Sequence, residues 1–272
     1  MTDLCLYEVV DGVAVVTLNR PERNNGMNGA LELAYYRALE RARDDRETRV
    51  IVVTGAGRSF CPGADLAGER RPDDEPLPNS RIPSTFPATI TKPMIAAING
   101  GCAGVGLVQA LHCDVRFASS GAKFTTAFAR RGLVAEYGIA WLLERLVGRG
   151  RAADLLLSGR TFDAAEALEL GVVNRVCDPE DLMAATLAYA RDVAVNVAPS
   201  SAATMKEQLR RVDGQTFGEA VADAHRYMYE SLRGPDAHEG IGAFVERREP
   251  AFRPLGEGSR FSWMDPAARP PA

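Results

Sequence analysis

The chain has 272 residues, of which 46% are hydrophobic and 25% are charged, and its formal net charge is −4. This length allows one large domain, or one domain with an appendage, around a sizeable core. The charge balance gives no sign of a nucleic-acid partner. The apolar runs are too short to cross a bilayer, and the N-terminus lacks the basic-then-apolar layout of a signal peptide. Five cysteines without a Cys-x-x-Cys pair indicate reduced thiols and a cytoplasmic protein.

Predicted strands and helices alternate along the chain up to about residue 180. The runs at 4–10 and 13–19 are rich in β-formers, and Asp11-Gly12 between them predicts a hairpin. Asn28 is expected to cap a helix that ends near Arg43. Further strands are predicted at 50–54, 94–98, 115–118, 123–124 and 172–176. Strands that alternate with helices favour an α/β fold.

Helical patterns dominate the rest of the chain. They cover residues 139–147, 150–157, 163–169, 180–196, 200–211, 216–232 and 236–247. Two other segments lack any periodic pattern. Residues 69–87 are charged and rich in proline, which predicts a mobile surface loop or lid. Residues 250–272 are rich in proline and arginine and are expected to be loose.

Two glycine-bearing turns each follow a strand-like stretch. They are the Gly-Ala-Asp-Leu turn at 63–66, which leads into a predicted short helix, and the Gly-Val-Gly turn at 104–106. Such a turn offers unpaired main-chain N–H groups, which suit a ligand that carries or develops negative charge. The same pattern begins dinucleotide and phosphate sites. Glycines also simply let a helix pack close to a strand, so all three interpretations stay open here.

Several other catalytic signatures are absent from the sequence. There is no Gly-x-Ser-x-Gly elbow, no phosphate loop ending in Gly-Lys-Ser/Thr, no His-Glu-x-x-His and no Tyr-x-x-x-Lys pair. We expect His112 to pack rather than to catalyse. Cys61 lacks an evident base, so it is not favoured as a nucleophile. What remains is the pair of turns, whose N–H groups would form an oxyanion hole if they converged on one carbonyl oxygen.

Three stretches of the sequence resemble the crotonase, or enoyl-CoA hydratase/isomerase, superfamily. They are Asn19-Arg20-Pro21-Glu22-Arg23, residues 55–66, and residues 92–114. The resemblance extends over roughly residues 4–250. It implies a spiral of ββα repeats, followed by an all-helical C-terminal region that builds trimers or hexamers. We therefore predict a core at 1–195, a helical oligomerisation region at 196–255 and a loose tail at 256–272.

The resemblance also assigns the site residues. It implies that the N–H groups of Ala64 and Val105 form the oxyanion hole for an acyl-CoA thioester. It places five residues along coenzyme A: Arg23, Ala64, Asp65, Leu66 and Ala67. The Asp65 side chain is expected to fix the turn that presents Ala64. Coenzyme A is part of the substrate, and neither a further cofactor nor a metal is predicted.

The chain departs from the hydratases of this family at two positions. Hydratases carry a pair of glutamates where this chain has Val108 and Phe128, and neither side chain can transfer a proton. Glu136 precedes the helix that begins near Ile139, where family isomerases and some hydrolases or dehalogenases carry an acid. A carboxylate there could move a proton between two carbons of an unsaturated acyl chain. Alternatively, Glu136 only faces a helix N-terminus, which is worth about 0.3–1 kcal/mol; Tyr137 beside it is expected to pack.

The favoured prediction is therefore enoyl-CoA double-bond isomerisation with Glu136 as base. The alternatives are an enoyl-CoA hydratase, an acyl-CoA hydrolase or C–C hydrolase in which Glu136 activates water, and an inactive CoA-binding homologue. The loop at 69–87 is expected to shape part of the acyl pocket.

Overall fold

The structure is a computed structural model that describes residues 3–66 and 82–265. Its strands are β1 (Cys5–Val10), β2 (Val13–Leu18), β3 (Val50–Gly55), β4 (Ser59–Cys61), β5 (Met94–Ile98), β6 (Gly101–Ala103), β7 (Val115–Ser119), β8 (Lys123–Thr125), β9 (Phe162–Asp163) and β10 (Arg175–Cys177). Its α-helices are α1 (Gly29–Asp44), α2 (Val105–Leu111), α3 (Ile139–Val147), α4 (Arg149–Ser158), α5 (Ala164–Leu170), α6 (Leu182–Asn196), α7 (Pro199–Arg211), α8 (Phe217–Leu232) and α9 (Pro235–Glu246).

The strands form two sheets. The larger sheet has the order β1-β2-β3-β5-β7-β10, and only the β1–β2 hairpin in it is antiparallel. The smaller sheet has the order β4-β6-β8-β9. Three times in succession, one strand of the larger sheet is followed within a few residues by one strand of the smaller sheet: β3 by β4, β5 by β6, and β7 by β8. The chain therefore winds as a spiral of ββα repeats, which confirms the predicted fold class.

Alternation along the strands of the larger sheet divides the apolar side chains between two cores. Ile51 and Val53 of β3 point into the main core, which α1 and α2 also fill, whereas Val50 and Val52 pack against α6 on the opposite face. Successive side chains of a strand point to opposite faces. A strand covered on both sides therefore reads as the unbroken apolar run seen at 50–54.

Most predicted elements lie within two residues of their predicted bounds. The hairpin turn at Asp11-Gly12 has positive φ at both residues, 53° and 76°, as a type I′ turn requires. Asn28 caps α1 by accepting a hydrogen bond from the N–H of Leu31. Both predictions are confirmed because they rest on local backbone preferences, which the tertiary structure does not override.

One predicted strand has different bounds in the structure, and two short strands were not predicted. The strand predicted at 172–176 is β10, which covers Arg175–Cys177, because Val172 and Val173 are buried in the main core and do not extend the sheet. Strands β4 and β6 were not predicted, since they have only three residues each. The short helix expected after Leu66 falls on residues outside the described part of the chain.

The two predicted irregular segments are packed where the structure describes them. Residues 69–81 of the expected lid lie outside the described part, but Phe86 and Pro87 are buried in a 3-10 turn. In the C-terminal segment, Phe261 and Trp263 are buried against Ala203 and Tyr227, and the Trp263 indole N–H donates to the Thr204 hydroxyl at 3.0 Å. Residues 256–265 are thus anchored by apolar burial, and the predicted loose tail is wrong for them; residues 266–272 lie outside the described range.

The remaining predictions concern membrane spans, the cysteines, the domain boundaries and the cellular location. No helix in the described part of the chain is both long and apolar enough to span a membrane. All five cysteines are free thiols. The domain boundaries and the cytoplasmic location stay predictions.

Candidate active site

The first glycine-bearing turn is held in place by Met27. The N–H of Met27 donates to the carbonyl oxygen of Gly63 at 2.8 Å, and the N–H of Asp65 donates back to the Met27 carbonyl oxygen at 2.8 Å. Because successive N–H groups of an extended chain point in opposite directions, this pairing turns the N–H of Ala64 away from Met27. Within residues 3–66 and 82–265, that N–H has no protein acceptor.

The Asp65 side chain fastens the same turn. Its carboxylate forms an ion pair with the Arg20 guanidinium at 2.7 Å, and both side chains are largely buried. A second Arg20 N–H donates to the carbonyl oxygen of Gly26 at 2.9 Å. The geometry agrees with the structural role predicted for Asp65, since its carboxylate is turned toward Arg20 and secures the turn that carries Ala64.

The second turn sets the start of α2. Gly104 has φ +50° and ψ −124°, a conformation that a residue with a Cβ rarely adopts. Its N–H donates to the carbonyl oxygen of Thr125 in β8 at 3.1 Å, and its own carbonyl oxygen accepts from the N–H of Val108 at 3.1 Å. Val105 is therefore the first residue of the helix and has no intrahelical acceptor. In the described part of the chain, no other acceptor is paired with its N–H either.

The two turns are in direct contact. A Cβ built on Gly104 would lie 3.7 Å from the Cα of Gly63, and a Cβ on Gly106 would lie 2.1 Å from the carbonyl oxygen of Cys61. The first turn of α2 therefore packs against the end of β4 with no room for a side chain. This contact brings two turns that are about 40 residues apart in the sequence to the same place.

Ala64 and Val105 line one open cleft together with Glu136. The cleft has a volume of about 400 Å³, including the solvent at its mouth. Most of its other lining residues are apolar or small: Pro62, Gly63, Leu66, Gly104, Thr126, Ala127, Phe128, Arg131 and Leu133. Glu136 supplies the only carboxylate among these lining residues, all of which belong to the described ranges.

Glu136 lies at the rim of the cleft, between two glycines in the left-handed conformation. Gly132 has φ 69° and Gly138 has φ 77°, and Tyr137 beside the glutamate also has a positive φ of 51°. An aromatic residue in this region carries conformational strain, which is typically found at functional segments. The pKa of Glu136 is raised above the usual value for a glutamate, mainly by partial burial and to a smaller extent by the negative charge of Glu32. The Glu136 carboxyl group thus lines the same cleft as Ala64 and Val105 and has an enhanced affinity for protons.

The two positions that carry glutamates in hydratases have different surroundings. Phe128 lines the cleft as an apolar wall. Val108 is completely buried in the main core and does not reach the cleft. Neither residue brings a polar atom to the cleft from its side chain, so the proton-transfer groups of a hydratase are missing at both positions.

The residues predicted to lie along coenzyme A are found in different places. Leu66 lines the cleft and is exposed. Arg23 is exposed on the 3-10 turn Pro21–Arg23, outside the cleft lining but next to Gly26, which packs on Asp65. Ala67 lies outside the described residues.

The remaining candidates agree with the structural roles expected for them. The Cys61 thiol is buried, and burial raises its pKa to about 11, so it is not a thiolate nucleophile near neutral pH. Burial lowers the pKa of His112 to about 4, which keeps its ring neutral at the C-terminal end of α2. Tyr137 packs against the main core.

A buried polar group between α1 and α2 did not follow from the sequence. Glu32 and Tyr36, four residues apart on α1, are hydrogen-bonded to each other, and Gln109 of α2 donates to the Tyr36 hydroxyl. The sequence feature that could have revealed this group is Glu32 itself, a glutamate on the apolar face of a predicted helix, because charged residues are rarely buried without a partner.

The fold and the cleft define a member of the crotonase superfamily. Residues 8–254 match the family model described as enoyl-CoA hydratase/isomerase, and the chain belongs to this family.

Its relatives carry several names. The chain is 33% identical over 261 residues to 1,2-epoxyphenylacetyl-CoA isomerase of Escherichia coli, covering 93% of this chain and 99% of the relative. It is similar to the solved structure of a probable enoyl-CoA hydratase/isomerase from Mycobacterium abscessus, with a TM-score of 0.82, 34% identity and coverage of 94% and 100%. An enoyl-CoA hydratase structure from Mycobacterium marinum is 49% identical, with a TM-score of 0.67 and coverage of 76% of this chain and 97% of that chain.

Proposed function

We propose that this enzyme isomerises the double bond of an enoyl-CoA thioester, with Glu136 as the single acid–base group. The observation that carries the proposal is the composition of the cleft. One carboxylate and two main-chain N–H groups without protein acceptors line it together, and the other lining residues include no second carboxylate among those described. Isomerisation needs one group that removes a proton and returns it elsewhere, whereas hydration also needs a group that activates water.

The two N–H groups of Ala64 and Val105 are proposed to bind the thioester carbonyl oxygen. When a proton leaves the carbon next to the thioester, negative charge accumulates on that oxygen. Two donors aimed at it stabilise the resulting dienolate, and removal of one such donor typically costs 100- to 1,000-fold in kcat. Both donors are main-chain groups, so their positions depend on the packing of the two turns and not on side-chain identity.

Glu136 is proposed to carry the proton between the two carbons. Its carboxylate accepts the proton from C2 of a 3-enoyl-CoA, and the electron pair of that C–H bond delocalises over the former double bond and the thioester. The same carboxyl group then returns the proton to C4, which gives the 2-enoyl-CoA. No water, oxidant or metal enters this balance. The raised pKa of Glu136 favours the step, because a stronger base accepts the proton more readily.

The apolar wall at Phe128 argues for isomerisation over hydration. A hydratase orients its water between two carboxylates, and here the corresponding positions are a phenyl ring and a fully buried valine. An acyl-CoA hydrolase is the second candidate, because Glu136 alone could activate a water molecule at the open mouth of the cleft. The names of the relatives include both an isomerase and hydratases.

Coenzyme A is proposed to lie along the first turn. Ala64 and Leu66 line the cleft, and Ala67 follows them in the sequence. Arg23 is exposed on the neighbouring turn, where its carbonyl oxygen and Asp65 both lie next to Gly26. Arg23 has no ion-pair partner within the described residues, so it is available to a phosphate group.

The C-terminal helices are proposed to form the contacts of a homotrimer or homohexamer. Helices α7 to α9 expose large apolar side chains, among them Leu209, Phe217, Met228, Tyr229 and Phe244, each more than half accessible. Exposed apolar surface of this extent is typical of subunit interfaces. Sedimentation velocity would determine the number of subunits.

The deciding experiment uses 3-enoyl-CoA thioesters with the wild-type enzyme and two variants. Glu136→Gln removes the base and is expected to lower kcat by about 100- to 10,000-fold while binding of free CoA, measured by calorimetry, is unchanged. Glu144→Gln is the matched control: it makes the same change on an exposed glutamate of α3 and should leave kcat unchanged.

Product analysis by mass spectrometry separates the alternatives. A 2-enoyl-CoA product that depends on Glu136 supports the proposal. A 3-hydroxyacyl-CoA would indicate a hydratase and free CoA a hydrolase. CoA binding without turnover of any thioester would indicate an inactive homologue.

A further inference from the structure

Arg131 is the only cationic residue among the described residues that line the cleft. It is the last residue of the 3-10 turn Ala129–Arg131, which Gly132 ends in the left-handed conformation. The N–H groups of Arg131 and Leu133 both donate to the carbonyl oxygen of Phe128, at 2.9 and 3.0 Å. Arg131 therefore belongs to the same tight turn as Phe128 and Leu133, which line the cleft with apolar side chains.

The Arg131 guanidinium is held at the wall of the cleft. Its Nη1 donates to the carbonyl oxygen of Ala127 at 3.1 Å, and Ala127 also lines the cleft. A guanidinium has five N–H donors, and this bond uses one of them. Within residues 3–66 and 82–265, no carboxylate forms an ion pair with Arg131. Its other donors are therefore available to a bound molecule.

The neighbouring Arg130 has different surroundings. Its Nε donates to the carbonyl oxygen of Ser158 at 2.8 Å. Its side chain packs on Gly159, where an added Cβ would lie 3.1 Å from the Arg130 Cγ. Arg130 is not among the residues that line the cleft. Of two consecutive arginines on one turn, Arg130 thus fastens the turn to the end of α4, and Arg131 lines the cleft.

Glu136 does not neutralise the charge of Arg131. Both residues line the cleft, but no ion pair joins them in the part of the chain that the structure describes. An ion pair with an arginine would lower the pKa of the carboxyl group, whereas the pKa of Glu136 is raised by partial burial. The proposed base and the guanidinium are thus separate groups, and each can act on a different part of a bound molecule.

The guanidinium lies with the apolar wall and not with the turn along which coenzyme A is proposed to lie. An acyl chain that packs against Phe128 and Leu133 displaces water from the cleft, so the guanidinium beside them loses part of its hydration. A purely apolar chain leaves this loss uncompensated. A carboxylate on the acyl chain compensates it, because its two oxygens match the paired N–H groups of an arginine.

We propose that the substrate is an enoyl-CoA whose acyl group carries a second carboxylate at its far end, and that Arg131 binds this carboxylate. The inference rests on the proposed function, since it names the substrate class of the same site. Arg131 is then a specificity-determining residue that takes no part in the proton transfer. Its contribution is to binding, so its removal should act on KM and not on kcat.

The test compares two series of thioesters. One consists of 3-hexenoyl-, 3-octenoyl- and 3-decenoyl-CoA, and the other has a carboxylate in place of each terminal methyl group. At the chain length that fits, the wild-type enzyme should prefer the carboxylate thioester by about 10- to 100-fold in kcat/KM. Arg131→Met should abolish this preference by raising KM for the carboxylate thioester. Arg131→Lys should restore part of it, because an ammonium group keeps the charge but not the paired N–H geometry.

Arg130→Met is the matched control. It removes the same charge from the adjacent residue of the same turn, and the side chain it replaces does not line the cleft. It should keep the wild-type preference, whereas a general effect of net charge would lower the preference equally in both variants. Thermal denaturation checks that each variant is folded.

A second measurement does not depend on turnover. Calorimetry compares the binding of free CoA and of saturated thioesters of the same lengths, with and without the terminal carboxylate. The carboxylate thioester should bind the wild type about 10- to 100-fold more tightly than its neutral counterpart, and Arg131→Met should lose this difference.

The outcomes separate the two proposals. A wild type that shows no preference for the carboxylate in binding or turnover overturns the role of Arg131, even if it isomerises neutral thioesters. A loss of free CoA affinity in Arg131→Met would place the guanidinium at a phosphate group, and a fall in kcat for both series would place it at the reacting carbons; each result also overturns that role. If carboxylate thioesters bind through Arg131 but no 2-enoyl-CoA forms, the substrate class holds and the proposed isomerisation fails.

Discussion

The substitution Gly106→Ala tests whether the contact between the two turns sets the site. The new Cβ would lie 2.1 Å from the carbonyl oxygen of Cys61 and 2.7 Å from its Cβ. Atoms in proteins almost never approach closer than about 3.0 Å in such contacts, so the start of α2 and Cys61 have to move apart by roughly 0.9 Å or more. Neither contact is the end of a flexible side chain, and the strand that carries Cys61 is completely buried. Both elements are buried, and movement of either one displaces a proposed donor, because α2 carries the N–H of Val105 and Cys61 is three residues before Ala64.

Two consequences are expected from this movement. A misplacement of about 1 Å at a catalytic group costs about 100-fold in rate, so kcat/KM should fall by about that factor. Overpacking of a close contact costs about 1–3 kcal/mol of unfolding free energy. Steady-state kinetics with 3-enoyl-CoA and urea denaturation measure the two effects.

A matched control makes this experiment decisive. Gly101→Ala adds the same methyl group on β6, three residues before the turn at Gly104, and its Cβ would meet only the Ser59 hydroxyl oxygen at 3.6 Å, an ordinary contact. It should leave both quantities close to those of the wild type. If Gly106→Ala retained wild-type kinetics and stability, the close packing of the two turns would not be what fixes the Val105 N–H.

Three further predictions concern charge, pH and the C-terminal segment. Arg20→Met removes the ion pair between Arg20 and the largely buried Asp65 carboxylate. It should lower the free energy of unfolding by about 3 kcal/mol in urea titration, and an unchanged value would mean that this pair does not hold the turn. If Glu136 is the base, kcat/KM is lost as the pH falls through its raised pKa. In a pH profile of kcat/KM, the midpoint of the acidic limb should therefore lie above 4.5, the pKa of an ordinary glutamate. A midpoint at or below 4.5 contradicts the assignment. Trp263→Ala removes a buried ring and its hydrogen bond to Thr204 and should lower the unfolding free energy by about 3–5 kcal/mol, whereas a loose segment would tolerate it without loss.

Much of the candidate site followed from local sequence patterns. The turns at Ala64 and Val105 carry glycines that allow main-chain conformations closed to other residues, such as φ +50° at Gly104. The loss of both hydratase glutamates could also be read directly, because a phenyl ring and a valine cannot carry a proton. The position of Glu136 required the family resemblance, since a single acid before a helix has no distinctive spacing of its own.

Other features did not follow from any local pattern. Strands β4 and β6 are three residues long, and pairing with each other and with β8 is what makes them strands. The C-terminal segment looked loose because it is rich in proline and arginine, yet two aromatic side chains within it find a buried site against α7 and α8. Glu32 has no distinctive sequence context, yet it is buried and hydrogen-bonded to Tyr36.

The sequence by itself determined the succession of strands and helices, the positions of the two turns and the absence of the hydratase acids. These properties depend on backbone preferences and side-chain chemistry within a few residues. Only the tertiary structure decided that the two turns touch, that Glu136 shares their cleft and that Glu32 is buried. Such relations join residues far apart in the chain, and they exist only where close packing excludes water.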